Sequence, residues 1–253
     1  GDRYSEADVI HLIAEATKMA YAARDALFCD PKYVDVPVDY LLSDERAEWA
    51  RGRIALDQAS QFNSWNGAGV EHSDTTYLCV VDRDGNAISF INSIFKSFGS
   101  CIMAPDSGVI LHNRGLSFRV DPDHPNRIEP GKRPMHTIIP GMAMRDGKAV
   151  MPFGVMGGHY QSTGHTSLLT NMFCFGMDPQ QANEAPRHFC FDGELALEPR
   201  ISEDVAEDLR ARGHNVTRTP SPHGGCQAIY IDDENGVLVG GSDPRKDGMA
   251  LGY

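Results

Sequence analysis

The stretch TTYLCVVDRDGNAISF, from Thr75 to Phe90, decides how this chain is read. Its two halves are rich in β-branched and aromatic residues, which suit a pleated, half-buried strand. Between them Arg83-Asp84-Gly85 provides the positive φ of a tight turn, so TTYLCVVD and NAISFINSIF are expected to pair as a hairpin. Threonines commonly open strands with no chemistry attached. Here, however, Thr75 and Thr76 directly follow DQASQFNSWNGAGVEHSD, a polar, glycine-bearing run that reads as a linker ending at Asp74.

If the backbone were cut between Asp74 and Thr75, by attack of the Thr75 hydroxyl on the Asp74 carbonyl and hydrolysis of the ester formed, Thr75 would carry both a nucleophile and its own base. A free α-amino group titrates near about 8, so a useful fraction is neutral at physiological pH and can accept the hydroxyl proton. The tetrahedral intermediate then needs N–H donors. Gly157-Gly158, ahead of a helix-like run, offers backbone amides unobstructed by side chains, although a glycine pair is equally the mark of a plain turn.

The same alternation of strand and turn extends outward. HTIIPGMAM and KAVMPFGV are expected to form a second hairpin across Arg145-Asp146-Gly147, and CQAIYIDD and GVLVGGSD close the chain as strands. Between these lie GGHYQSTGHTSLLTNMFCFGM and DPQQANEAPR, both helical in pattern, followed by the helix SEDVAEDLRARG. The N-terminal part reads as a helix from Ser5 to about Leu27, with Val9, Ile10, Ile13, Ala16 and Ala20 on one face, and a second from Ser43 to Ile54. Lys96 to Pro134 is rich in Gly, Pro and Asp and reads as loop with short strands such as GVILHN. Strands on both sides of a helical pair predict an α+β fold with αββα layers.

Composition excludes several function classes. With 253 residues, 41% of them apolar, the chain can bury a full core. A net charge of −12 opposes nucleic acid and anionic membrane surfaces. No apolar run approaches the roughly 20 residues of a membrane span. The six cysteines lack CxxC spacing, and runs such as NMFCFGM and TTYLCVV suggest buried reduced thiols. Neither these nor the ten histidines fall at zinc-ligand spacings, so no metal is expected. A hydroxyl, an amine and an oxyanion hole suffice for amide hydrolysis without a cofactor.

The run TTYLCVVDRDGNAIS resembles the start of the small subunit of gamma-glutamyltransferases, self-cleaving N-terminal-nucleophile hydrolases in which TTH-x-S-V-V-D-x-x-G-N-A follows the cleavage point. The resemblance continues through FGSCIMAPDSGVILHNR, GKRPMHTIIP, GVMGGHYQ, NEAPRH and SDPRKDGMALGY, while AEATKMAYAARD and DPKYVDVP resemble the end of that family's large subunit. It implies a four-layer αββα sandwich, with residues 1–74 as the end of the large-subunit region and 75–253 as the small-subunit region. It also implies that a large-subunit portion of several hundred residues, with an arginine for the substrate carboxylate, precedes this chain. By position, Thr75 would be the nucleophile, Thr76 and Ser93 the hydroxyls that orient it, and Gly157 and Gly158 the oxyanion hole.

The departures bear on the substrate. In that family an Asn, a Gln or Glu, and an Asp hold the glutamyl α-ammonium; the corresponding positions here carry Phe95, Arg114 and Ser117. A cationic Arg114 repels an ammonium. The paired serines after KRP are replaced by His136 and Thr137. These changes point to a small amide bearing a carboxylate, such as oxamate, and to resemblance with the family's oxamate amidohydrolases and cephalosporin acylases. Two other readings stay open: a true gamma-glutamyl hydrolase or transferase, and a catalytically silent fragment held together by self-association. Thiol usage points to the cytoplasm unless an upstream signal directs export, and a homo-oligomer is compatible with the sequence.

Overall fold

A computed structural model of the protein describes residues 3–61 and 75–253. The hairpin forms as expected, with β1 (Thr75–Val81) antiparallel to β2 (Ala87–Ser93) and Thr75 opposite Ser93. Its turn is closed by the Asp82 carboxylate, which accepts the amides of Asp84 and Asn86 at 2.9 and 2.8 Å, while Gly85 takes φ 81°. The second sheet runs β3 (Gly141–Arg145), β4 (Lys148–Met156), β8 (Gly225–Asp232), β9 (Val237–Ser242), antiparallel throughout.

The hairpin lies face to face on this sheet because Gly154 has no side chain. A Cβ there would stand 2.3 Å from the Tyr77 ring. The Tyr77 hydroxyl pairs with Ser89 Oγ at 2.8 Å, and Ser89 donates to the Phe153 carbonyl at 3.2 Å. On the sheet's other side α4 (Tyr160–Phe173) and α5 (Pro179–Glu184) enclose a core of Met151, Val155, Leu168, Met172, Cys226 and Ala228. Two sheet layers and one helical layer of the αββα arrangement are therefore present among the described residues. The outward face of the hairpin is apolar, with Leu78, Val80, Ile88 and Phe90 each about half exposed.

A second core joins α1 (Glu6–Leu27) and α6 (Glu203–Ala211) to a small sheet of β5 (His188–Phe191), β6 (Glu194–Leu197) and β7 (Val216–Arg218), centred on Leu195, Leu197, Ile201 and Leu209. Helices α2 (Val38–Leu41) and α3 (Asp44–Arg51) follow α1. No described helix is long and apolar enough to cross a membrane.

Several expectations are corrected. On α1, Ile10 is buried as expected and Val9 and Ile13 are half-buried, but Ala16 and Ala20 are exposed; the buried face also carries Ala14 and Tyr21 with His11, Glu15 and Lys18, because Ala55, Ser60 and His214 from other segments satisfy those three polar side chains. GVILHN forms no strand; Ile110 makes a single bridge to Met103. The second hairpin starts at Gly141, so His136 lies outside any strand. Helix α3 stops at Arg51, short of Ile54. Cys174, within NMFCFGM, is exposed, whereas burial pushes the Cys190 and Cys226 thiols up to about 11 and about 12.

Candidate active site

Strand alternation separates the two threonines. Thr75 stands on the inner face with Tyr77, and its Oγ1 lies 3.0 Å from Ser93 Oγ on the paired strand. Ser93 Oγ also accepts the Phe95 amide at 3.2 Å, which orients the hydroxyl pair. Thr76 faces outward, exposed and opposite Asn92, so its hydroxyl is not brought to Thr75 Oγ1 as that of Ser93 is. An open cavity of about 400 Å³ lies beside them, lined also by Asn92, Ile94, Phe98 and Ile110. Asp74 falls outside the described residues.

Gly157 and Gly158 connect the end of β4 to the start of α4 with φ 134° and 56°. At Gly157 a Cβ would meet the Gly224 backbone at 2.9 Å, so the close approach of these loops requires glycine. Among the described residues neither amide donates a hydrogen bond, and neither is joined to the Thr75 hydroxyl. Two unengaged N–H groups therefore stand at the head of a 14-residue helix, at the positive end of its dipole.

The third component surrounds Arg114. Its side chain is buried, its guanidinium lies 5.2 Å from the Phe95 ring centroid, and among the described residues Nη1 and Nη2 have no hydrogen-bond partner. Burial lowers its pKa. Phe95 takes φ 82°, an uncommon conformation for a bulky residue, and Phe98 and Cys101 in the same loop are also left-handed. The loop is tied to Arg114 through its neighbour: the Asn113 amide donates to the Ile94 carbonyl at 3.2 Å, and Asn113 Oδ1 accepts the Lys96 amide at 3.0 Å. Ile94 directly follows Ser93, which connects the guanidinium to the strand pair that carries Thr75.

His136 and Thr137 lie on the adjoining loop. Desolvation, then the nearby charges of Arg114 and Arg133, lower the His136 pKa, so the imidazole is neutral at neutral pH. The loop is fixed from the N-terminal region: buried Asp30 accepts the Arg133 amide at 3.0 Å, Nε at 3.3 Å and Nη2 at 3.1 Å. These bonds hold the Asp30 carboxyl well below the usual carboxylate range. Ser117, the third departure, is buried and its carbonyl accepts Asn126 Nδ2 at 2.6 Å.

Two buried polar clusters lie apart from Thr75. His11, Glu15 and His214 converge with ligand atoms within 4.8 Å of one another, a grouping that sequence spacing could not reveal. His11 Nε2 donates to the Ala55 carbonyl at 2.7 Å, so its Nδ1 accepts from His214 Nε2 at 2.8 Å. Glu15 is held by Lys18 Nζ at 2.7 Å and the Ser60 amide at 3.0 Å. An ammonium against the carboxylate makes this a hydrogen-bond network rather than a cation site. The second cluster pairs Arg187 with Asp243 at 2.5 Å and Arg245 with Glu198 at 2.6 Å, joining the NEAPRH and SDPRKDG segments. A cleft of about 520 Å³ borders it; of its four charged lining residues Glu198 and Arg245 pair with each other, Glu184 accepts Gln180 Nε2 at 2.8 Å, and Arg200 donates to the Glu184 carbonyl.

The gamma-glutamyltranspeptidase family profile matches residues 1–253. The chain belongs to that family. It is 37% identical over 254 residues to the glutathione hydrolase-like YwrD proenzyme of Bacillus subtilis, covering 96% of this chain and 47% of that protein. It is 36% identical to the oxamate amidohydrolase proenzyme of Klebsiella pneumoniae, covering 98% and 48%. Among solved structures, a cephalosporin acylase from Bacillus halodurans superposes with a TM-score of 0.87 at 37% identity, covering 98% of this chain and 46% of that one. The chain thus spans about half the length of the curated relatives it matches, and its α+β fold is that of the family's N-terminal-nucleophile hydrolases.

Proposed function

We propose that the protein is a self-processing threonine amidohydrolase acting on a small amide that bears a carboxylate. Cleavage between Asp74 and Thr75 frees the Thr75 α-amino group, which takes the proton from Oγ1 as that oxygen attacks the amide carbonyl carbon. Gly157 and Gly158 donate to the resulting oxyanion. The intermediate collapses with rupture of the C–N bond; the nitrogen leaves as amine or ammonia carrying the proton. Water then attacks the ester on Thr75, releases the acid and returns the proton to the hydroxyl. Ser93, 3.0 Å from Thr75 Oγ1, orients the nucleophile. Arg114 and neutral His136 hold the substrate carboxylate, with Thr137 on the same loop.

The buried Arg114 guanidinium, whose Nη1 and Nη2 have no hydrogen-bond partner among the described residues, is the observation that carries the choice of substrate. A buried cation without a counter-charge is unfavourable, and a bound carboxylate would supply bidentate hydrogen bonds. A gamma-glutamyl α-ammonium at the same place would meet like charge. The similarity to an oxamate amidohydrolase and to a cephalosporin acylase supports amide hydrolysis.

The test compares ammonia release from oxamate with 4-nitroaniline release from γ-glutamyl-p-nitroanilide by the purified, processed protein. The expected result is a higher kcat/KM on oxamate, reduced roughly 100-fold in Arg114→Gln. Preference for the glutamyl anilide, unaffected by Arg114→Gln, would favour a gamma-glutamyl hydrolase or transferase instead.

A further inference from the structure

The loop that carries Gly157 and Gly158 is held from outside the small-subunit region. Tyr21 of α1 donates its hydroxyl to the His159 carbonyl, and the same oxygen lies 2.7 Å from Ser162 Oγ, one turn into α4. One turn further along α1, Arg24 Nη1 donates to His159 Nδ1 at 3.1 Å, which fixes the ring as the Nε2–H tautomer. The guanidinium lies 4.0 Å from the Tyr21 ring centroid, so each side chain restrains the other. From the opposite side Phe191 stacks on the His159 ring at 5.0 Å and meets Tyr21 edge-on at 6.0 Å. His159 is therefore fixed at its carbonyl, at one ring nitrogen and across its ring face. It directly follows Gly158, and the two glycines occupy backbone conformations that few other residues would keep.

We propose that Tyr21 and Arg24 are positioning residues for the oxyanion pair: they fix His159, and through it the direction in which the Gly157 and Gly158 amides point. The physical need is specific. Oxyanion donors act only if their N–H vectors already converge on the site where charge develops, and an error of about 1 Å forfeits much of their effect. Glycines without side chains cannot hold that direction themselves. Burial raises the Tyr21 pKa, so the phenol remains a donor across the working pH range. The residues preceding the cleavage point thus shape the half of the site that stabilises the transition state, and α1 would be retained after processing for that reason.

This inference rests on the reading of Gly157 and Gly158 as oxyanion donors, and the experiment separates the two. Tyr21→Phe keeps the ring and its packing while removing only the hydroxyl; Arg24→Lys keeps the charge and removes the planar fork. In processed enzyme the expected result for each is a fall in kcat on oxamate of roughly 10-fold with KM unchanged, and a matching loss of affinity for methylboronic acid, which forms a tetrahedral adduct on a threonine hydroxyl. Binding of oxalate, the planar product, should be unaltered, and thermal unfolding must stay above the assay temperature. Wild-type kcat and boronate affinity in Tyr21→Phe and Arg24→Lys, alongside loss of both in Gly157→Ala, would overturn the positioning role and leave the oxyanion reading standing. Because φ 134° and the Gly224 backbone at 2.9 Å force an alanine at 157 to move the amides, unchanged kcat and boronate affinity in a folded Gly157→Ala protein would overturn both. A uniform loss of kcat, boronate and oxalate binding would mark Tyr21 as structural and overturn the proposal.

Discussion

A guanidinium enclosed without a counter-charge opposes folding, and Arg114 is such a group among the described residues. Its replacement by an apolar residue of similar volume should therefore stabilise the protein while impairing it. Arg114→Met is expected to raise the unfolding free energy by ~1–3 kcal/mol in denaturant titrations; a loss of similar size would mean that the cation is compensated in the folded state. At this scale the sequence was informative about identity and less so about direction. Arg114 and His136 could be singled out because they break the family's pattern, and the structure brings them within Coulombic range of each other. The family resemblance groups Thr76 with Thr75, yet strand alternation places it on the opposite face. Apolar periodicity finds Ile10 on the buried side of α1 but not His11, Glu15 and Lys18, which are buried by partners more than forty residues away, Ala55, Ser60 and His214.

The hairpin is the element on which the site depends, and its position is set by a glycine on another strand. Adding a methyl in Gly154→Ala would drive a Cβ into the Tyr77 ring at 2.3–2.7 Å. We expect a loss of about 2 kcal/mol in stability and a fall in activity, since any shift of Tyr77 moves Thr75 two residues away. Unchanged stability and rate would show that the hairpin tolerates displacement. Elements punctuated by local chemistry were legible: Ser5, Ser43 and Ser202 each cap a helix, and Asp146-Gly147 turns the second hairpin with φ 51° and 79°. Strands β5, β6 and β7 were not, because three or four residues give too short a pattern and β7 pairs in parallel with a strand distant in sequence. GVILHN failed as a strand for the converse reason: its β propensity is real, but its partner segment offers only one bridge.

For the molecule as a whole, the motifs that carried the family resemblance divide by role. NEAPRH and SDPRKDG build the buried Arg187–Asp243 and Arg245–Glu198 pairs, which gives these two motifs a part in the folded core. Acid should unfold the protein through buried imidazoles. Burial holds His165 and His214 at about 4 and His188 at about 3, below the ordinary value near 6.5. The unfolded chain therefore takes up these protons first: stability is full above about pH 6.5 and is lost as pH falls toward about 3, by up to roughly 3 to 5 kcal/mol per imidazole. Thermal unfolding between pH 7 and 4.5 checks the sign, and a rising midpoint on acidification would contradict it. The central claim is that Thr75 is a nucleophile freed by self-cleavage, and intact mass spectrometry of the purified protein beside a Thr75→Ala variant tests it most directly. The account predicts two polypeptides divided between Asp74 and Thr75 in the parent and one undivided mass in the variant. A single undivided mass in both, or the same division in both, would contradict it.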